Sequence, residues 1–341
     1  MTNNKHKFPY KWNLADGYPA KGIAKNECNV FGTFICGGGS TMGYKLAGFN
    51  HLGGVEIDVK VADVYKENHK PKYLFVEDIR AFNKRTDLPT ELYNLDILDG
   101  SPPCSTFSMA GSREKAWGKS KQFREGQAMQ TLDDLVFVYC DTIIKLQPKV
   151  FLLENVKGII QGNAKAYSKA IVKKMQEAGY TVQVFCLNAA SMGVPQKRER
   201  VFFIGHKKEF LLPNLRLEFR EEAIMIADVN SEYQFKKTFY TMFEGMAKDG
   251  SRPIHNCKNV VSKTITGTAS AIDIFDKVEN GEFVNGLKYT KPDLCQIGSY
   301  PLDYNFKTLE PKYLIGMSVP PVMTAQISHQ IYLQWLSKIK Q

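Results

Sequence analysis

Several features are missing from this 341-residue chain, and each absence removes a class of protein. No apolar run approaches the ~20 residues that a membrane span requires. Residues 1–10 are polar and basic with no apolar stretch behind them, so no secretory signal is read there, and a cytoplasmic location and no membrane partner are expected. The seven cysteines are odd in number and scattered, and none forms a Cys-x-x-Cys pair. Neither a disulfide framework nor a structural zinc site is therefore expected, and most of the thiols are read as small core hydrophobes. No internal repeat and no low-complexity tract is present. Acidic residues are in deficit: 35 Asp+Glu stand against 45 Lys+Arg, a formal charge of +10. That balance favours an anionic partner, nucleic acid being the usual one, although many basic proteins bind nothing anionic.

What is present is a regular alternation. Residues 1–29 read as a polar, aromatic, basic arm. Strands are expected at 30–35, 52–57, 73–76, 95–98, 150–153, 180–187 and 201–205. Helices are expected at 41–46, 59–68, 131–146, 164–178 and 322–339. Strands alternating with helices indicate a mostly parallel sheet wrapped by helices, an α/β fold. The alternation stops after His206. Residues 207–288 are rich in Gly, Asn, Ser and Thr and read as a second, smaller unit. With 12 Lys+Arg and 12 Asp+Glu they are neutral, so the positive excess lies on the rest of the chain. The expected division is arm 1–29, large domain 30–206, small domain 207–288 and a returning segment 289–341.

Phe34-Ile35-Cys36-Gly37-Gly38-Gly39-Ser40 sits where the first strand hands over to a helix. Glycines let a backbone approach a ligand, and a helix N-terminus offers free N–H groups. Glu56, at the end of the next strand, is positioned to hold ribose hydroxyls. Asp58 is a solvated alternative, and Asp78 is placed to accept from an adenine amino group. A plain strand-to-helix turn would look the same, and a nicotinamide dinucleotide would fit equally well.

Asp99-Gly100-Ser101-Pro102-Pro103-Cys104-Ser105 follows the fourth strand. Two prolines fix the cysteine rigidly at the ligand edge of a sheet, although most free cysteines are buried and inert. Glu154, in Leu152-Leu153-Glu154-Asn155-Val156, ends another strand. Gln196-Lys197-Arg198-Glu199-Arg200 follows, its two arginines on one face if extended. A solvated glutamate and a solvated basic face are the bland readings of these two stretches.

Taken in order, these stretches resemble the cytosine-5 DNA methyltransferase family of bacterial and phage type. The Phe-x-x-x-Gly-Gly loop, Pro-Cys, Glu-Asn-Val, Gln-x-Arg-x-Arg, the 293–301 segment and a late Gly-x-Ser-Val-Pro-Pro at 316–321 come in that family's sequence, over about 30–206 and 290–341. The resemblance implies a Rossmann-like S-adenosylmethionine-dependent sheet with a smaller target-recognition domain at 207–288. It implies a methyl donor released as S-adenosylhomocysteine, no metal, and methylation of carbon 5 of a flipped-out cytosine in duplex DNA. Cys104 would be the nucleophile, with Glu154, Arg198 and Arg200 completing the catalytic set. Cofactor contacts are implied at Phe34, Cys36, Gly37, Gly38, Gly39, Glu56, Ile57 and Asp78, and also at Ile79, Pro103, Ser318 and Val319.

The target atom is out of reach inside a duplex, so the base must be extruded. The basic, glycine-flanked stretch 111–126, with Arg113, Lys119, Lys121 and Trp117, is expected to close over DNA. Gln196, Thr264 and Thr266 complete the expected DNA contacts. The chain is expected to act as a monomer, with any cognate restriction endonuclease acting separately. Three positions depart from the family pattern: Cys36 replaces a glycine, Ser105 a glutamine and Met317 an asparagine. The alternatives are an RNA-directed relative methylating a tRNA cytosine, a catalytically dead DNA-binding relative, and a nicotinamide oxidoreductase.

Overall fold

In the computed structural model the described residues are 6–103, 120–121, 130–131, 135–239, 254–267, 274–279, 282–284 and 286–339. Continuous apolar runs form the centre of the sheet: Ile97–Gly100 (β4) is buried throughout and Val150–Val156 (β7) at all but its last residue. Such runs are what a strand covered on both faces requires. Around them lie Asn29–Thr33 (β1), Asn50–Glu56 (β2), Tyr73–Val76 (β3), Tyr180–Asn188 (β8) and Glu199–Lys207 (β9). The order is β3-β2-β1-β4-β7-β9-β8. β9 runs antiparallel to both its neighbours, and the other four pairings of the sheet are parallel. The chain winds from β1 outward to β3 and then restarts at β4 on the other side of β1. A ligand crevice is expected at such a switch point, at the carboxyl ends of β1 and β4.

Helices Gly39–Leu46 (α1), Val59–His69 (α2), Ile79–Lys84 (α3), Leu135–Leu146 (α4) and Lys165–Glu177 (α5) cover the sheet. Local chemistry sets their starts. Asp58 caps α2, its carboxylate accepting from Lys60 N at 2.9 Å and Val61 N at 3.2 Å. Asp58 is therefore buried rather than solvated. The helix expected from 131 begins at Leu135. A short ribbon, Ser120–Lys121 (β5) with Gln130–Thr131 (β6), lies between β4 and α4.

Residues 6–28 pack into the body instead of forming a free arm. Phe8 is fully buried, Trp12 nearly so, and the Trp12 indole donates to Ser299 O at 3.0 Å. The stretch after β9 also stays on the large body at first. Leu215, Leu217, Ile224 and Ile226, the last opening a short helix Ile226–Val229 (α6), share one core with the terminal helix Pro321–Gln334 (α9). The small sheet of Lys237–Phe239 (β10), Ile254–Asn256 (β11) and Ile274–Phe275 (β12) comes only after it, with a hairpin of Lys277–Glu279 (β13) and Glu282–Val284 (β14). The chain then returns through Lys291–Ile297 (α7) and Pro311–Met317 (α8). No helix among the described residues is long and apolar enough to cross a membrane.

Candidate active site

The loop after β1 turns so tightly that Phe34 (φ 54°), Cys36 (φ 46°) and Gly38 (φ 73°) all adopt left-handed conformations. Only glycine does this without cost. Packing imposes a second demand. A Cβ on Gly38 would lie 2.2 Å from His69 Nε2, and one on Gly39 would lie 2.1 Å from Val319 O. One turn on, a Cβ on Gly43 would lie 2.4 Å from Pro321 O. The glycines thus let α1 lie against the start of α9.

The loop is also held by hydrogen bonds. The Gly37 carbonyl accepts from Tyr304 OH at 2.7 Å and from His69 Nε2 at 3.3 Å. Burial lowers the His69 pKa to about 3, so a neutral imidazole makes that contact. From the other side, Glu56 accepts from Cys36 N and from Asp58 N, each at 2.9 Å. Burial raises its carboxyl above the ordinary range. Glu56 therefore shapes the loop as well as standing at the strand end.

A small cleft opens at the carboxyl ends of β1 and β4. The loop from Phe34 to Thr41 forms one wall, Asp99 and Ser101 another, and Met317–Val319 a third. Of the cofactor contacts expected from sequence, Phe34, Cys36, Gly39, Ser318 and Val319 meet here. Ser318 is engaged already: its hydroxyl accepts from Tyr300 OH at 2.6 Å. Ile57 is half-buried beside Glu56, and Pro103 is half-buried beyond β4. Ile79 packs with Leu135 and Phe34. Asp78 caps α3, accepting from Arg80 N at 2.7 Å, and pairs with the Arg80 guanidinium at 3.2 Å.

Glu154 is inside β7 rather than at its end, opposite Phe202 of β9, while Arg200 stands opposite Val156. The two are diagonal neighbours on one face, and Arg200 Nε meets Glu154 Oε1 at 2.8 Å with both side chains largely buried. Arg198 does something different. Its guanidinium donates to Ile265 O at 2.9 Å, Gly316 O at 3.0 Å and Ser318 O at 2.9 Å. It clasps three backbone segments and is 3% exposed.

Gln196, expected among the DNA contacts, is 1% exposed. Its amide donates to Ile297 O at 3.2 Å and accepts from Ile265 N at 3.1 Å, which fixes the 262–267 segment to the body. Within that segment Thr264 is half-buried, its hydroxyl donating to Lys197 O at 2.5 Å, and Thr266 is half-exposed. Cys104, Ser105, Arg113, Trp117 and Lys119 lie outside the described residues. Lys121 is placed only as a backbone position of β5. Among the described residues no group of three or more His, Cys, Asp or Glu is arranged to hold a metal.

Sequence reasoning passed over Asp99, which is 4% exposed in the cavity wall. Tyr44 OH donates to its Oδ1 at 3.3 Å, and burial pushes its carboxyl up to about 7. The strand-end argument that singled out Glu56 applies to it equally. His69, Tyr300 and Tyr304 carry no comparable signal, because contacts to a loop 32 or 267 residues away leave no local pattern.

The model of the C-5 cytosine-specific DNA methylase family matches residues 29–332. The Type II methyltransferase M1.HphI of Haemophilus parahaemolyticus is 32% identical over 329 residues, 87% of this chain and 85% of its own length. The Type II methyltransferase M.FnuDI of Fusobacterium nucleatum is 34% identical over 190 residues, 54% of this chain, and the match spans about half of that relative, 49%. A crystal structure of a mutant Spodoptera frugiperda DNMT2 shares the fold, with a TM-score of 0.64 at 17% identity over 90% of this chain and 100% of the other. The glycine loop, the switch-point cavity and the paired strand carboxylate thus stand on a frame matched nearly end to end, and the chain belongs to the C-5 cytosine-specific DNA methylase family.

Proposed function

We propose that this chain transfers a methyl group from S-adenosylmethionine to carbon 5 of a cytosine extruded from duplex DNA, through a covalent bond from Cys104 to carbon 6. The observation that carries this reading is the sheet order β1-β4-β7. It sets the strand preceding Cys104 between the glycine loop on one side and the Glu154–Arg200 pair on the other.

The residues present fit the cofactor. Gly39 leaves no room for a side chain, the first N–H groups of α1 lack helical acceptors, and Glu56 presents a carboxylate to hydroxyl donors. When bound, the cofactor supplies a methyl group activated by a sulfonium. The chain's residues do the rest. Carbon 5 of cytosine is a poor nucleophile until a thiolate adds at carbon 6, and Cys104 supplies that thiolate. Glu154 holds a proton against ring nitrogen 3 and accepts from the exocyclic amine, drawing electrons as the adduct forms. Arg200 fixes the Glu154 carboxylate, and in this reading its remaining guanidinium N–H groups bind the base oxygen. Arg198 and Gln196 hold the 262–267 segment in register with the catalytic body. A base then removes the carbon 5 proton and Cys104 is expelled.

We assign base reading to the neutral 207–288 region and phosphate gripping to the basic 111–126 stretch, a division that matches how duplex recognition is usually shared. We further propose that the chain acts as a monomer in the cytoplasm, with any cognate restriction endonuclease acting separately. The test is incubation with duplexes carrying 5-fluorocytosine at a methylated site, with tRNA as competitor. A denaturation-resistant DNA complex with the wild type and none with Cys104→Ala is expected. Turnover by Cys104→Ala, or methylation of tRNA in preference to DNA, would overturn the proposal.

A further inference from the structure

Three buried carboxylates line the ligand end of the sheet, and their partners differ. Glu56 is engaged by two backbone N–H groups, and Glu154 by the Arg200 guanidinium. Asp99 has neutral donors, the hydroxyls of Tyr44 and Ser40 from α1. The other groups that bear on it are also neutral or acidic: Tyr139 from α4, Tyr65 from α2 and Glu154 from β7. Among the described residues no cation pairs with Asp99. A buried acid so surrounded is costly to ionise unless a cation arrives, and the open cavity is where one would arrive.

We infer that Asp99 anchors the α-ammonium group of the cofactor's methionine part. The inference rests on the function proposed above. A zwitterionic amino-acid end needs acceptors for its ammonium and donors for its carboxylate. The cavity offers one of each side by side: the Asp99 carboxylate, and the first turn of α1 at Gly39 and Ser40. The sulfonium has no N–H to give, whereas the ammonium has three, enough to meet the roughly two lone-pair sites that Tyr44 and Ser40 leave open. The raised pKa of Asp99 agrees: the cation stabilises the anion that burial disfavours.

The test is calorimetric titration of wild type and Asp99→Asn with S-adenosylmethionine, S-adenosylhomocysteine and methylthioadenosine. The first two keep the ammonium; the third lacks the amino-acid end. Asp99→Asn is expected to weaken the first two by about 10–100-fold, the loss of hydrogen bonds to a charged group, and to leave the third unchanged. Wild-type binding, repeated in two buffers of different ionisation enthalpy at pH 7, is expected to release protons as the Asp99 carboxyl ionises against the ammonium. This second measurement decides the matter even if the variant does not fold. A twofold effect or less on S-adenosylhomocysteine overturns the assignment. So does a loss confined to S-adenosylmethionine, which would place the sulfonium at Asp99, and so does the absence of proton release. A wild type that bound none of the three would overturn the proposed function and this inference with it.

Discussion

Arg200 and Glu154 meet at 2.8 Å across the antiparallel β7–β9 pair, diagonal neighbours on one face with both side chains mostly withdrawn from solvent. Breaking a buried pair by removing one partner is costly, about 3–5 kcal/mol when fully buried, because the other charge is stranded. Arg200→Ala should therefore lower thermal stability and methyl transfer together. Glu154→Gln keeps the shape and one acceptor for Arg200 Nε but also strands the Arg200 charge, so it should lower stability less than Arg200→Ala does while slowing single-turnover methylation by about 10²–10⁴-fold, the usual worth of a positioned proton donor. Normal turnover by Glu154→Gln would remove it from the chemistry.

Arg198 is expected to behave in the opposite way. It satisfies three carbonyls at once, so Arg198→Met should lower stability by about 2–5 kcal/mol and loosen the 262–267 segment. Denaturant unfolding measures the first effect and limited proteolysis within 254–267 the second. A variant with parental stability but no activity would show that the guanidinium serves the substrate and not the frame.

Asp99 links function to pH. Its carboxyl is held up at about 7 by burial, against about 3.9 in an unfolded chain. Between these values the folded protein binds more protons than the unfolded one, so this group's contribution is intact below pH ~4 and is lost as pH rises through ~7. Asp99→Asn removes that titration. Without cofactor, the variant's unfolding free energy should exceed the parent's by a margin that widens from pH 5 to pH 8, reaching at most about 4 kcal/mol. A margin independent of pH would contradict the assignment of a raised pKa to this residue.

The glycine loop gives a matched pair of substitutions. Gly39→Ala would force a Cβ to 2.1 Å from Val319 O and should abolish cofactor binding while lowering the melting temperature. Cys36→Gly removes a side chain from a left-handed residue, whose cost is about 1–2 kcal/mol, and should leave stability equal or higher. Thermal unfolding with and without cofactor separates the two. A destabilised Cys36→Gly would mean that the thiol makes a contact worth more than the strain.

Much of the large body is legible because its strands are short, apolar and separated by capped helices; 73–76 agrees residue for residue, and Glu56 ends its strand and the glycine loop joins β1 to α1 as local pattern alone places them. The reversed direction of β9 is not, since an antiparallel strand near a sheet edge has the same composition as a parallel one. Burial of residues 6–28 is not legible because Phe8 and Trp12 stand in a polar stretch broken by Pro9, Gly17, Pro19 and Gly22, where no period is sustained. The ligand-facing roles expected of Gln196 and Arg198 rest on the family resemblance, and local pattern offers only a solvated basic face as the alternative, so neither points to burial. Their partners, Ile265, Ile297 and Gly316, lie 67–118 residues away, and no window of sequence contains both ends of such a bond.

The cavity wall at Met317–Val319 closes on a loop that begins at Phe34. During synthesis the glycine loop, β2 and β4 leave the ribosome long before that wall exists, and folding from the N-terminus forward yields a sheet with an open crevice. The cavity is thus complete only once the segment around residue 320 has been made. On the function proposed above, a chain halted earlier lacks one wall of its cofactor site, and cofactor retention reports whether translation reached that point.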